Sequence, residues 1–171
     1  MSKLIFISSH FVILQEDAVV QELSAANFFL VLKTGEIVTP SLERGTILPG
    51  VTRASVLDIV EMFHEELLDV VKTSTGNVDI ERVRAVERDV YVKDMNNATE
   101  AFVTGTAAEI VPVETLGTGS KDKEQFSVEF KHGSVLPGGP VSKAISKYMI
   151  IYGIYCYHLL TWLNITKKNA I

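Results

Sequence analysis

Residues 27–68 read NFFLVLKTGEIVTPSLERGTILPGVTRASVLDIVEMFHEELL, and the change of periodicity along them decides the fold class. Asn27 to Leu32 is a short, aromatic-rich apolar run that stops at the turn-forming pair Thr34-Gly35. Glu36 to Thr39 follows and stops at Pro40, so the two runs predict a hairpin with a small loop. Leu48-Pro49-Gly50 is a turn signal, because proline presets its own φ and glycine accepts a positive one. Directly after it the spacing changes. Val56, Leu57, Val60, Phe63, Leu67 and Leu68 recur at helical intervals, with Thr52 as the candidate N-cap and Ser74-Thr75-Gly76-Asn77 as the loop that ends the helix.

The same alternation extends outward. Leu4 to Leu14, interrupted by Ser8, Ser9 and His10 and lacking a small-residue cleavage site, reads as a strand pair and not as a signal peptide. Arg84 to Val92 reads as a strand, with a short helix or turn near Asp94 to Thr99. Ala101 to Thr104 and Glu109 to Leu116 are strand-like, Gly117 to Glu124 is a polar loop, and Phe126 to Phe130 alternates as a strand does. After Gly138-Gly139-Pro140 a last helix is expected to run to about Leu163. Its apolar end, from Met149, is shorter than the ~20 residues a bilayer requires and carries His158 and tyrosines, so it reads as a buried helix and not an anchor. Interleaved strands and helices, without a repeat or long linker, predict a single α/β (mixed α+β) domain over residues 1–171.

Composition narrows the function. The chain is 47% hydrophobic and 22% charged, the balance of a chain that folds around a core. A formal charge of −5 and the absence of any basic stripe argue against a nucleic-acid partner, although backbone amides can still hold a small anion locally. One cysteine, Cys156, makes neither an internal disulfide nor a CxxC metal site and points to a reducing compartment. His10, His64, His132 and His158 are scattered, and their spacing supports no metal set.

Two places combine glycine, threonine and a change of direction. At Gly50-Val51-Thr52-Arg53 the chain leaves a Pro-Gly turn and enters a helix, where free amides and the Thr52 hydroxyl suit a phosphate. At Thr104-Gly105-Thr106-Ala107-Ala108 a strand ends in small residues, whose amides and hydroxyls can close around oxygen ligands. Alone, each is an ordinary turn or helix start. Together with Gln21-Glu22-Leu23-Ser24-Ala25-Ala26-Asn27-Phe28-Phe29 they come in an order that is specific.

These segments, with Gly45-Thr46-Ile47-Leu48-Pro49 and Glu100-Ala101-Phe102-Val103, resemble the class IV pyridoxal-phosphate aminotransferases, most closely the branched-chain amino acid aminotransferases. The similarity runs in order from about Phe11 to about Lys143, and Gly139-Pro140-Val141-Ser142-Lys143 is similar to the family's stretch opening its last helix. The resemblance implies the family's C-terminal large domain, a pseudo-barrel with flanking helices, and pyridoxal 5′-phosphate as cofactor. It implies that Glu22 pairs with the pyridine nitrogen and that Leu48 packs on the ring. It places the 5′-phosphate on Gly50, Val51 and Thr52 and on Gly105 and Thr106. Thr106, Ala107 and Ala108 stand where the family presents amides to the substrate carboxylate. The implied substrates are leucine, isoleucine or valine and 2-oxoglutarate, in cytoplasm or mitochondrion, with a homodimer or a full-length homologue as possible partner.

The sequence also departs from the family. The family's cofactor-anchoring lysine precedes the Glu22 position in a distinctive motif, yet Lys3 is the only lysine before Glu22 and has none of the expected neighbours. The small N-terminal domain, with its phosphate-binding arginine, has no counterpart either. No catalytic residue is therefore assigned, and negligible transamination is expected from these residues alone. About His64 to Arg82 reads as a surface insertion, and beyond Ile151 the chain drifts from the pattern. Three functions follow: a branched-chain aminotransferase lacking its N-terminal part, a non-catalytic cofactor-site relic that pairs with a full-length homologue, or a D-amino acid aminotransferase or aminodeoxychorismate lyase of the same class.

Overall fold

A computed structural model describes residues 3–7, 10–14, 19–23, 26–105, 109–118, 127–130 and 139–152. The strands are β1 (Lys3–Ile7), β2 (His10–Leu14), β3 (Val19–Leu23), β4 (Asn27–Leu32), β5 (Glu36–Thr39), β6 (Arg84–Glu87), β7 (Val90–Tyr91), β8 (Ala98–Gly105), β9 (Glu109–Val113), β10 (Thr115–Thr118) and β11 (Ser127–Glu129). The helices are α1 (Val51–Met62), α2 (His64–Thr75), α3 (Val92–Met95) and α4 (Pro140–Tyr152). They build a six-stranded sheet, β11-β10-β1-β2-β3-β7, and a five-stranded sheet, β6-β5-β4-β8-β9. The architecture is the mixed α/β class that the sequence predicts, with helices flanking a sheet. Expectations for Cys156, His132, His158 and the end of the last helix fall outside the described residues.

The pleat of β4 and β8 divides the core in two. Phe28, Leu30, Ala101 and Val103 point to one face and meet Val20 of β3, Val90 of β7 and Met95 of α3. Phe29, Val31 and Phe102 point to the other and meet Val56 and Ile59 of α1, Leu67 and Val71 of α2, and Val141 and Ile145 of α4. A continuously apolar run such as Phe28 to Leu32 is what a strand buried on both faces needs, and all six residues of β4 are buried. Phe29 and Phe102 are register partners, and their rings stack with centroids 4.9 Å apart.

Several boundaries differ from expectation, each for a physical reason. The single helix predicted across Phe63 is two helices: Phe63 leaves helical geometry at φ −117, ψ 29 and stacks its ring on Tyr148 of α4 at 4.7 Å. The His64 ring takes up the Glu61 carbonyl at 2.9 Å beside this break. Nor is His64 to Arg82 a surface insertion, because Leu67, Val71 and Ile80 fill the core between α2, the sheet and α4. The strand predicted over 84–92 splits into β6 and β7, which belong to different sheets, and 109–116 splits likewise into β9 and β10. The polar loop expected from Gly117 starts later, since β10 continues to Thr118.

The corner that carries the chain from β6 to β7 is held by charge. Arg88 forks onto Asp94 at 2.8 and 3.2 Å, and Arg44 forks onto Asp89 at 2.9 and 2.6 Å. Burial pushes the Asp94 carboxyl up, but the Arg88 and Tyr91 hydrogen bonds outweigh it and hold the group below its ordinary range. The Arg44 hydrogen bond does the same for Asp89. Both folded values are depressed, so their stabilisation is complete above the ordinary carboxylate value of about 4 and is lost as pH falls through the folded value. We expect Asp94→Asn to flatten the fall of stability on acidification below about pH 4, read by urea denaturation across pH.

Glu100 makes the fold's principal polar joint. It is fully buried, yet its Oε1 accepts from the Ser74 hydroxyl at 2.7 Å and the Val141 amide at 2.9 Å, and its Oε2 from the Ser142 amide at 3.1 Å. The carboxylate therefore caps the first turn of α4, where free amides favour negative charge. Gly139 is required beside it, since a β-carbon there would overlap the carboxylate. Glu100→Ala leaves those amides without an acceptor and should cost about 2–4 kcal/mol in chemical denaturation, with Glu100→Gln intermediate.

Candidate functional site

The helix expected to be capped by Thr52 is instead preceded by Gly50 as N-cap, with φ −68, ψ 139 and no side-chain capping bond. Thr52 is its second residue and buried at 2% exposure, a place where a hydroxyl cannot act as cap. The first intrahelical bond runs from the Ala54 amide to the Gly50 carbonyl at 3.1 Å. Helix geometry thus leaves the amides of Val51, Thr52 and Arg53 without intrahelical acceptors, and no acidic residue stands in that turn.

The turn before the helix is fixed at one carbonyl. Leu48 O accepts the Gly50 amide at 2.8 Å across Pro49 and the Asn27 side-chain amide, also at 2.8 Å. Asn27 opens β4, and its register partner is Thr104 of β8. Cross-strand partners project to the same face, here the one covered by α1. The two glycine–threonine segments singled out in the sequence are therefore neighbours: the Leu48–Gly50 turn and the Thr104–Gly105 strand end flank Asn27 at one end of the five-stranded sheet.

Polar atoms are stranded at this end. Thr52 Oγ1 and Thr104 Oγ1 are both buried without a hydrogen-bond partner among the described residues. A buried hydroxyl that makes no bond costs about 1–3 kcal/mol, so two within one loop cluster mark a place suited to an oxygen-rich ligand. Arg53, in the same turn, is 3% exposed; one terminal nitrogen donates to the Pro40 carbonyl at 2.9 Å and pairs with Glu87, while its buried Nε has no hydrogen-bond partner among the described residues. The anion-attracting field therefore comes from amides and the helix dipole and not from a free cation. The Leu48 side chain, 69% exposed, offers an apolar surface beside them.

The other candidates are placed as follows. Gly105 ends β8 half-buried and pairs with Glu109, while Thr106, Ala107 and Ala108, between those partners, lie outside the described residues. Glu22 lies in β3, which pairs with β2 and β7, and its side chain is outside the described set. Sequence reasoning missed Asn27 and the burial of Thr104. A signal existed: asparagine is depleted in strands, yet it opens an otherwise apolar one. No group of residues able to hold a metal ion and no helix long and apolar enough to cross a membrane occurs among the described residues.

The geometry makes a prediction about Thr52. Thr52→Val removes a buried hydroxyl that has no partner, so unliganded stability should hold or rise by up to about 1 kcal/mol. Stabilisation by added inorganic phosphate should fall in the same variant, by a measure that paired urea titrations with and without phosphate will show.

Comparison with known proteins bears on the family and the fold. The amino-transferase class IV family matches residues 9–116. A probable branched-chain-amino-acid aminotransferase of Staphylococcus epidermidis is 37% identical over 101 residues, 59% of this chain and 24% of the relative. A putative branched-chain amino acid aminotransferase from Thermotoga maritima superposes with a TM-score of 0.55 at 27% identity, over 81% of this chain and 39% of its own. The pyridoxal-phosphate form of the enzyme from Thermobaculum terrenum gives a TM-score of 0.55 at 26% identity, over 84% and 37%. The chain spans about a quarter of the length of the curated relative it matches.

Proposed function

This chain belongs to the class IV amino-transferase family, and from that premise we propose that it provides the cofactor cradle of a branched-chain amino acid aminotransferase. The observation that carries the reading is the uncapped start of α1 with the buried, unpartnered hydroxyl of Thr52 in its first turn. Those groups fit the 5′-phosphate of pyridoxal phosphate, the cofactor of the solved Thermobaculum terrenum relative. Bound there, the cofactor supplies an electron sink that lets the substrate's α-proton leave.

Each residue has a separate task. The Val51 and Thr52 amides and the Thr52 hydroxyl bind the phosphate, with Gly105 and Thr106 as its second support. Leu48 covers one face of the ring and excludes water from it. The Glu22 carboxylate holds a proton on the pyridine nitrogen, because an acidic partner favours the charged ring. The amides of Thr106, Ala107 and Ala108 receive the substrate carboxylate. Branched-chain substrates, with 2-oxoglutarate as amino acceptor, are supported by the name of the Staphylococcus epidermidis relative. Proton transfer at the α-carbon requires a lysine base that these residues do not match, so the 171-residue chain by itself should transaminate negligibly.

Equilibrium dialysis tests the reading directly. The chain should bind pyridoxal phosphate at least about tenfold more tightly than pyridoxal, which lacks the phosphate. Equal affinities would remove the cradle from its assigned role. In Glu22→Gln the pyridine nitrogen of bound cofactor should lose its proton at lower pH than in the wild type, followed by absorbance; an unmoved titration removes Glu22.

A further inference from the structure

We propose that Asn27 is the positioning residue of the cradle, a side chain that touches no substrate but sets the direction of the amides that hold the phosphate. The inference rests on the function proposed above and assigns a role to a residue outside the expected cofactor set.

Asn27 is 5% exposed in a strand whose other five residues are hydrophobic. A buried carboxamide at such a place must be answered by specific partners. Its Nδ2 donates to Leu48 O at 2.8 Å, and the Gly50 amide donates to the same oxygen from the opposite side of Pro49. Both lone pairs of that carbonyl are thereby used, which fixes the Leu48 peptide plane. Proline supplies the restricted φ for the tight turn between them.

The contact also explains Gly50. A β-carbon at Gly50 would overlap Asn27 Oδ1, so the turn can come this close to the strand only as glycine. Leu48 and Pro49 are both exposed and give the turn little packing of its own. Asn27 supplies a buried hold in its place. Because the Asn27 backbone is in register with Thr104, its side-chain bond to Leu48 ties the turn before α1 to the strand pair that ends there. The phosphate-facing amides of Val51 and Thr52 thus inherit their position from the β4–β8 ladder.

Two readouts test the proposal on the full chain in Asn27→Ala and the near-isosteric Asn27→Asp. The first needs no ligand: hydrogen exchange at the Gly50 and Ala54 amides should quicken about tenfold, while exchange across Leu67 to Val71 in α2 stays as in the wild type. The second is dialysis in Asn27→Ala, where pyridoxal phosphate affinity should fall about tenfold and pyridoxal affinity by less than about twofold. Should the alanine variant not fold, exchange in Asn27→Asp carries the comparison. Unchanged exchange at Gly50 and Ala54, or an undiminished preference for the phosphate ester, overturns the role of Asn27 alone. Equal loss of both affinities with faster exchange throughout α2 overturns it too, because that is merely structural damage. A wild-type chain that binds pyridoxal phosphate no better than pyridoxal brings down the proposed function itself, and the inference with it.

Discussion

The antiparallel ladder between β4 and β8 is the constraint on which the rest of this structure depends. On its helix-covered face three register pairs follow one another: Val31 with Glu100, Phe29 with Phe102, and Asn27 with Thr104. The first pair brings a carboxylate to the start of α4, the second supplies the stacked rings of the core, and the third reaches the turn before α1. A slip of one residue would reverse the faces of every side chain on the shifted strand. It would place Phe28 where Asn27 meets Leu48, and the helix starts would lose their partners. Register and site geometry are therefore one problem in this fold.

Buried polar groups at the two ends of that ladder are treated in opposite ways. Glu100 is saturated, with three donors on two oxygens, and a fully satisfied buried group gives α4 one defined docking position. At the other end Thr52 and Thr104 carry hydroxyls with no partner among the described residues. A fold that satisfies one buried acid so completely has no general difficulty in satisfying polar atoms. The unmet demand lies at the start of α1 and the end of β8, where an oxygen-rich ligand would answer it.

Much of this was legible in the sequence, and the limits are instructive. The strand β4, its hairpin to β5, the Pro-Gly turn before α1 and the start of α4 at Pro140 each carry a strong local signal, and each lies where expected. What local signals lack is sheet membership. Nothing in Arg84 to Val92 announces that Arg88 and Asp89 carry the chain from one sheet to the other, because the device is a pair of ion pairs to Asp94 and the distant Arg44. The break at Phe63 was hidden for a similar reason: it is tied to a ring in α4, 85 residues away (148 − 63). Thr52 was misread as a cap because a threonine after Pro-Gly looks the same in sequence whether its hydroxyl closes the helix or is left for something else. The cradle motifs were recognisable as a set, but their adjacency depends on Asn27, whose importance lies wholly in what it touches.

The electrostatics of the site follow from these choices. The chain is acidic overall, with a formal charge of −5, and the one arginine in the first turn of α1 is neutralised by Glu87. A dianion approaching this end meets no unpaired side-chain cation among the described residues of that turn. It meets amides, each with a small partial charge that is effective only at hydrogen-bond distance and in the right direction. A field of that kind cannot be improved by a flexible side chain swinging in; it is as good as the backbone is still. For an anion cradle built from amides, the residues that hold the turn in place therefore matter as much as those that touch the ligand, and in this chain they are an asparagine, a proline and a glycine around one carbonyl oxygen.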